Sequence, residues 1–271
     1  MNIKITDEIL YKELLNSSFV KIEIGSKMYG LEHKNSDTDI LCIYHTSDIE
    51  LFSIQTSHHQ IQYKDVENNI DYLFINIHSF LRNILSGDST INFEVINSKK
   101  LINTELEFLY NNRLAFYNYK IIRSYLGLAR RDLKRIDINT TTNFQKNKKI
   151  AHAYRGLHTA ISIYYIKYSN RESYSIKLQE YTINYIKNEI WTLPNFTARK
   201  SFIGDLNNDI NDFRLFINEK FNKKELVNYM SIKDQETINK SLYKLLKSSN
   251  KKMNDFNQNI FYDANENDVK Y

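Results

Sequence analysis

An α+β fold, a small mixed β-sheet with flanking helices followed by an α-helical lobe, is what the sequence predicts. Three observations lead there. Short runs that alternate apolar and polar residues, or are continuously apolar, fall between residues 19 and 75. Helical spacing dominates everything after about residue 88, and that later part carries almost no strand or hairpin signals. The expected division is an α/β lobe over 1–100, a helical lobe over 101–250 and a loose polar tail over 251–271.

Thr6 to Asn16 predicts a short helix, with Thr6 as N-cap and Ile9, Leu10, Glu13 and Leu14 at helical spacing. Phe19 to Ile24 alternates and predicts a half-buried strand. A Gly25-Ser26 turn follows, then a short helix through Met28 to Leu31, then a strand opened by Asp37 and Asp39 that runs into Ile40-Leu41-Cys42-Ile43-Tyr44. Ile70 to Ile75 predicts a third strand, and Ile77 to Leu85 a helix stopped by Gly87. Further helices are expected near 90–97, 114–138, 143–169, 177–191, 205–221 and 223–248. With one proline, Pro194, and six glycines in the chain, breaks are read from polar clusters such as 139–143. Ile260-Phe261-Tyr262 is the one part of the tail with enough apolar surface to dock.

At 271 residues, 42% hydrophobic and 25% charged, the chain can bury a full core. No apolar run approaches the roughly 20 residues of a membrane span. Cys42 is the only cysteine, which excludes an internal disulfide and a cysteine-rich zinc site. Residues 1–8 lack the charged-then-apolar order of a secretory signal, so a cytoplasmic protein with no membrane partner is expected. The net charge of +5 is mild but uneven. Between Arg113 and Arg155 only Asp132 and Asp137 oppose eleven basic residues, a field suited to a nucleotide or nucleic acid, or else a solvated helix face.

The segment from Gly25 to Asp39 carries the sharpest chemistry. Side chains alternate along a strand, so Asp37 and Asp39 point the same way and can share a divalent metal. The turn before them can hold a phosphate with backbone N–H groups and the Ser26 hydroxyl. Asp71 is the candidate third carboxylate, because an isolated charge in the strand Ile70-Asp71-Tyr72-Leu73 would be costly to bury. A solvated strand end is the alternative for Asp71, and Asp65 and Glu67 are rival ligands. Such a set suits Mg2+, two ions with Mn2+ able to substitute, and metal-assisted phosphoryl transfer.

A second constellation is Lys148, His152 and Arg155, which share one helix face at i, i+4 and i+7. Arg offers a bidentate fork, Lys a point charge and His a donor near neutral pH, a combination suited to a triphosphate. An exposed basic stripe, or a core-bonded His152, is the plainer reading. Upstream, Arg130, Arg131, Lys134 and Arg135 form a possible surface for a polymer.

Gly-Ser-x-x-Tyr-Gly followed by Ser-Asp-x-Asp resembles the nucleotidyltransferases of the DNA polymerase β superfamily, and within them a bacterial and phage branch associated with RNA repair. The resemblance extends through Ile70-Asp71-Tyr72-Leu73, Phe80 to Leu85, Gly87-Asp88-Ser89-Thr90, Tyr125 to Arg131 and Lys149-x-x-His152-x-x-Arg155, about residues 18–165. It implies phosphate binding by Gly25 and Ser26 and metal ligation by Asp37, Asp39 and Asp71. Thr38, between the two aspartates, departs from the apolar residue usual in the superfamily. The expected activity is transfer of a nucleoside monophosphate from an NTP to a hydroxyl of an RNA or tRNA end, with release of pyrophosphate. A protein hydroxyl is the alternative acceptor, and a non-catalytic nucleotide- or nucleic-acid-binding module the alternative class.

Overall fold

In the computed structural model, which describes residues 2–4, 8–32, 36–45, 60–87, 89–136, 142–169, 171–221, 236–241 and 243–245, five strands form one mixed sheet. They are β1 (Asn2–Lys4), β2 (Ser18–Ile24), β3 (Thr38–Tyr44), β4 (Gln60–Asp65) and β5 (Ile70–Asn76), in the order β1-β4-β5-β3-β2. β3 runs parallel to β5 and antiparallel to β2, while β4 is antiparallel to β5 and parallel to β1. Both β1 and β4 lie outside the sequence expectation. β4 escapes it because Gln60, Gln62, Lys64 and Asp65 make the stretch look like loop. The signal that identifies it is the alternation of Ile61 and Tyr63, which pack on the same cluster as Tyr11.

Alternation decides what each sheet face does. Ile40, Cys42 and Tyr44 of β3 and Tyr72 and Phe74 of β5 pack with Tyr11 of helix α1 (Glu8–Ser17). Leu41 and Ile43 of β3, Leu73 and Ile75 of β5, and Val20, Ile22 and Ile24 of β2 face the other way, into the main core. Asp39 and Asp71 have the parity of that second set. The carboxylates therefore open the strands on the face covered by the later helices.

Those helices are α2 (Ile77–Ser86), α3 (Thr90–Ile96), α4 (Glu107–Asn111), α5 (Tyr119–Lys134), α6 (Asn143–Ser169), α7 (Glu172–Tyr185) and α8 (Phe196–Lys220). Side-chain caps fix the starts of several: Asn76 Oδ1 accepts from Ser79 N at 2.7 Å, Asn118 Oδ1 from Ile121 N at 3.1 Å, and Asn195 Oδ1 from Ala198 N at 2.9 Å. Thr142 and Gln145 form a reciprocal capping box at the start of α6. α5 and α6 pack closely, and Gly156 is why: a β-carbon there would stand 3.3 Å from the Tyr125 carbonyl oxygen and 3.4 Å from Ala129 Cβ. One buried cluster runs from Val20 in the sheet to Ile217 in α8, so sheet and helices share a core.

Boundaries differ from the sequence expectation in four places. The helix expected at 114–138 is a 3-10 turn at Arg113–Phe116 followed by α5 (Tyr119–Lys134). The helix expected through Met28 to Leu31 is a 3-10 turn over Gly25–Tyr29, ended by the left-handed Gly30. The segment expected at 177–191 is α7 followed by a π turn at Ile186–Ile190. The helix expected at 205–221 starts nine residues earlier, at Phe196, just after Pro194. Thr6, Asp88, the cluster at 139–141, the tail over 251–271 and most of 223–248 lie outside the described residues. No helix among the described residues is long and apolar enough to cross a membrane.

Candidate active site

β3 and β5 run side by side with Asp39 directly opposite Asp71, and Ile24, the last residue of β2, opposite Asp39 from the other edge. Gly25 follows immediately, at φ +70°. That left-handed conformation suits glycine, and here the space demands it as well: a β-carbon on Gly25 would collide with Asp39 Oδ2 and stand 3.3 Å from Asp39 Cγ. The phosphate-turn candidate and the carboxylate candidate thus touch. Lys27, in the same turn, donates to Thr38 Oγ1 at 2.5 Å. The residue that departs from the superfamily pattern is used to hold the turn against β3.

Asp37 precedes β3, and its charge together with that of Asp71 acts on Asp39. Burial first, then those two neighbours, raise the Asp39 carboxyl above its ordinary pKa, while Lys148 and Lys64 oppose the shift. Among the described residues no three His, Cys, Asp or Glu side chains close into a ready metal cage. The donor chemistry nevertheless fits a hard divalent cation: oxygen ligands on adjacent strands, with mutual repulsion that a cation relieves. Although its apolar strand neighbours in the sequence suggest burial, Asp71 is not enclosed. Its carboxylate is 36% exposed and lies 3.5 Å from Lys64 Nζ, so its place in the strand does not by itself require a metal. Of the rival ligands, Asp65 caps the β4–β5 turn, accepting from Asn68 N and Nδ2 at 3.0 and 2.8 Å, and Glu67 is exposed on that turn.

α6 brings the second constellation to the first. A small pocket is lined by Ser26 from the turn and by Lys148, His152 and Arg155 from α6, with Phe144 and Trp191 at its edge. The Phe144 and Trp191 rings stack at 5.6 Å, and the π turn delivers Trp191 to that position. Asn147 fixes this end of α6. Its Nδ2 donates to the Trp191 carbonyl at 3.3 Å, and its Oδ1 accepts from Arg199 Nε at 2.8 Å.

Two members of the face differ in character from the sequence expectation. Burial, then Arg155 and Lys148, push the His152 pKa down to about 4. His152 is a neutral imidazole at pH 7, offering a hydrogen bond and no charge. Arg155 is already engaged. Its Nη1 lies 2.6 Å from Glu94 Oε1 on α3, its guanidinium sits 3.8 Å above the Tyr29 ring, and Tyr125 donates to the same Glu94 oxygen at 3.0 Å. Glu94 is a functional candidate the sequence reading missed, because α3 gives no sign of which cation its one acid meets; Tyr29 stands in the Gly-Ser-x-x-Tyr-Gly motif but was given no role of its own. Lys148 is left as the member of the face whose charge acts on Asp39.

Arg131, Lys134 and Arg135 are exposed at the C-terminal end of α5, and Arg130 is half-buried. Arg131 and Arg135, with Lys149 and Arg155, counter the rise that burial imposes on the Asp132 carboxyl. Basic residues at a helix C-terminus also complement the backbone dipole, so their position has a structural reason besides any partner.

A mixed sheet with carboxylates opening two parallel neighbours, set beside a glycine turn and roofed by helices, is an α+β nucleotidyltransferase fold. The chain belongs to the RNA repair pathway DNA polymerase beta family (RlaP), whose model matches residues 17–243. The match continues almost eighty residues past the part carrying the resemblance, to take in α7 and α8. A comparison with curated proteins gives no match.

Proposed function

We propose that this chain is a metal-dependent nucleotidyltransferase that moves a nucleoside monophosphate from an NTP to the hydroxyl of an RNA end, a tRNA end included, releasing pyrophosphate. The observation that carries the reading is the register of Asp39 and Asp71 beside Gly25 and Ser26, on the sheet face that α6 roofs with Lys148. Asp37, Asp39 and Asp71 would hold Mg2+, as two ions or with Mn2+ in their place. When bound, the metal supplies charge neutralisation on the triphosphate and acidifies the attacking hydroxyl.

The chain's own residues do the rest. Gly25 and Ser26 cradle the terminal phosphates with backbone N–H and hydroxyl donors, and the bare Cα of Gly25 lets them approach. Lys148 meets the triphosphate as a point charge, and neutral His152 adds a hydrogen bond. Arg155 acts through Tyr29 and Glu94, keeping the turn pressed toward α6. Asp71 takes the proton of the acceptor hydroxyl. The hydroxyl oxygen then forms its bond to the α-phosphorus while the bond to the α–β bridging oxygen breaks, and pyrophosphate leaves with that electron pair. The exposed cations at the end of α5 and the family's RNA repair pathway favour an RNA acceptor.

The test is direct. Purified protein is given each labelled NTP in turn with Mg2+ or Mn2+ and a mixture of total RNA and cell protein. Label on RNA that is lost in Asp39→Ala supports the proposal. Label on protein moves the acceptor to a protein hydroxyl, and no label on either polymer refutes transfer.

A further inference from the structure

Strand register lays four residues in one line across the sheet: Lys64 on β4, Asp71 on β5, Asp39 on β3 and Ile24 at the end of β2. Residues directly opposite each other on neighbouring strands share a face. Lys64 therefore belongs to the face that carries the aspartates, while Tyr63 and Tyr72, one step along, pack with Tyr11 on the other. The candidate active site thus has a cation that neither the glycine turn nor α6 supplies. It stands at the opposite end of the line from Gly25, beyond Asp71.

Lys64 already acts on the carboxylates. Its Nζ lies 3.5 Å from Asp71 Oδ1, and its charge also opposes the rise of the Asp39 carboxyl. A carboxylate held by an ammonium presents less negative charge to a second cation, and two cations at one carboxylate repel each other. Lysine suits a replaceable partner, being a compact charge on a flexible stem that is readily hydrated. The two side chains are 54% and 36% exposed, so the pair can separate into water at little cost. Among the described residues the acids do not close into a cage, as expected where one of them answers to a lysine.

We propose that Lys64 is the counter-ion that Asp71 keeps while no metal is bound, and that Asp71 is released to a divalent cation only when Lys64 swings away. Asp37 and Asp39 are then the first ligands and Asp71 the later one. The carboxylate that takes the acceptor's proton is withheld until the site is loaded. This deepens the proposed function and rests on it for Asp71 as a ligand. A surface ion pair with no bearing on the site is the competing account, and metal affinity separates the two.

The test reads metal binding alone, without nucleotide and without turnover. Free Mn2+ is followed by electron paramagnetic resonance as protein is titrated at low salt. Lys64→Met should bind Mn2+ about threefold more tightly than wild type, or better, and Lys64→Arg, which keeps the charge, should match wild type. Placed on Asp71→Asn, the same Lys64→Met change should alter affinity by less than about twofold, because the pair it breaks is already gone. If circular dichroism shows that Lys64→Met does not fold, Lys64→Gln takes its place with the same expectation. Equal affinity in wild type and the neutral variant overturns the proposal. So does full tightening in the Asp71→Asn background, which would make Lys64 a diffuse charge and not the partner of Asp71. Tightening that depends on Asp71, with no transfer in the NTP assay, faults the proposed reaction and leaves the counter-ion standing. Normal transfer with Mn2+ affinity unmoved by Lys64→Met does the reverse.

Discussion

Asp39 carries the most local conflict of any residue in the site, since it is half-buried, flanked by two other carboxylates and pressed against Gly25. Asp39→Ala should abolish transfer while leaving thermal stability unchanged or slightly higher, because a buried charge and its repulsion are removed together. Mg2+–NTP binding as tight in an Asp37→Ala/Asp39→Ala double variant as in wild type would reject the metal assignment. Asp71 is more open and answers to Lys64. Asp71→Asn keeps shape and removes the base, so turnover should fall steeply with little change in NTP affinity. Full activity in Asp71→Asn would send the search back to Asp65 or Glu67.

The turn, α3 and α6 are joined by one ion pair that nothing in their separate sequences announces. Glu94 is 10% and Arg155 14% exposed in their side chains, so each is a buried charge that depends on the other. Arg155→Ala should cost about 3–5 kcal/mol, as expected when one partner of a buried pair is removed. Glu94→Ala combined with Arg155→Ala should recover part of that loss, and purely additive losses in urea melts would show that the pair is not coupled. Because Arg155 also lies over Tyr29, the single variant should weaken NTP binding through displacement of the Gly25–Ser26 turn.

Across the whole molecule, two histidines and one basic surface set the response to solution conditions. His152 and His158 both have pKa values pushed from 6.5 down to about 4 by burial. The unfolded chain therefore binds more protons than the folded one between about pH 4 and 6.5, and stability rises with pH across that window. Acidification from pH 7 to 4 should remove up to about 3 kcal/mol for each histidine. His158→Gln should flatten the pH dependence of the melting temperature; an unchanged slope would mean that His158 is accessible. The Arg131, Lys134 and Arg135 surface is read by salt. Affinity for RNA should fall steeply with ionic strength, and neutralising Arg131 and Lys134 should reduce the log–log slope by roughly 0.7 for each phosphate that the variant no longer neutralises, with NTP affinity unchanged. A slope unaffected by those changes would place the polymer elsewhere.

Local pattern was enough for β2, β3, β5, the helical second half and the sequence of a Gly-Ser turn followed by Asp37 and Asp39, since alternation, helical spacing and turn chemistry are written in neighbouring residues. The sheet face bearing the aspartates also follows from parity alone. What joins distant segments was decided by the fold. Strand register set Asp39 against Asp71, packing of α3 on α6 gave Arg155 to Glu94, and burial made His152 neutral. β4 was hidden because its polar residues resemble a loop until α1 covers Ile61 and Tyr63. Lys64 meets Asp71 through the pairing of β4 with β5, and no local spacing encodes a neighbour across two strands that meet only in three dimensions.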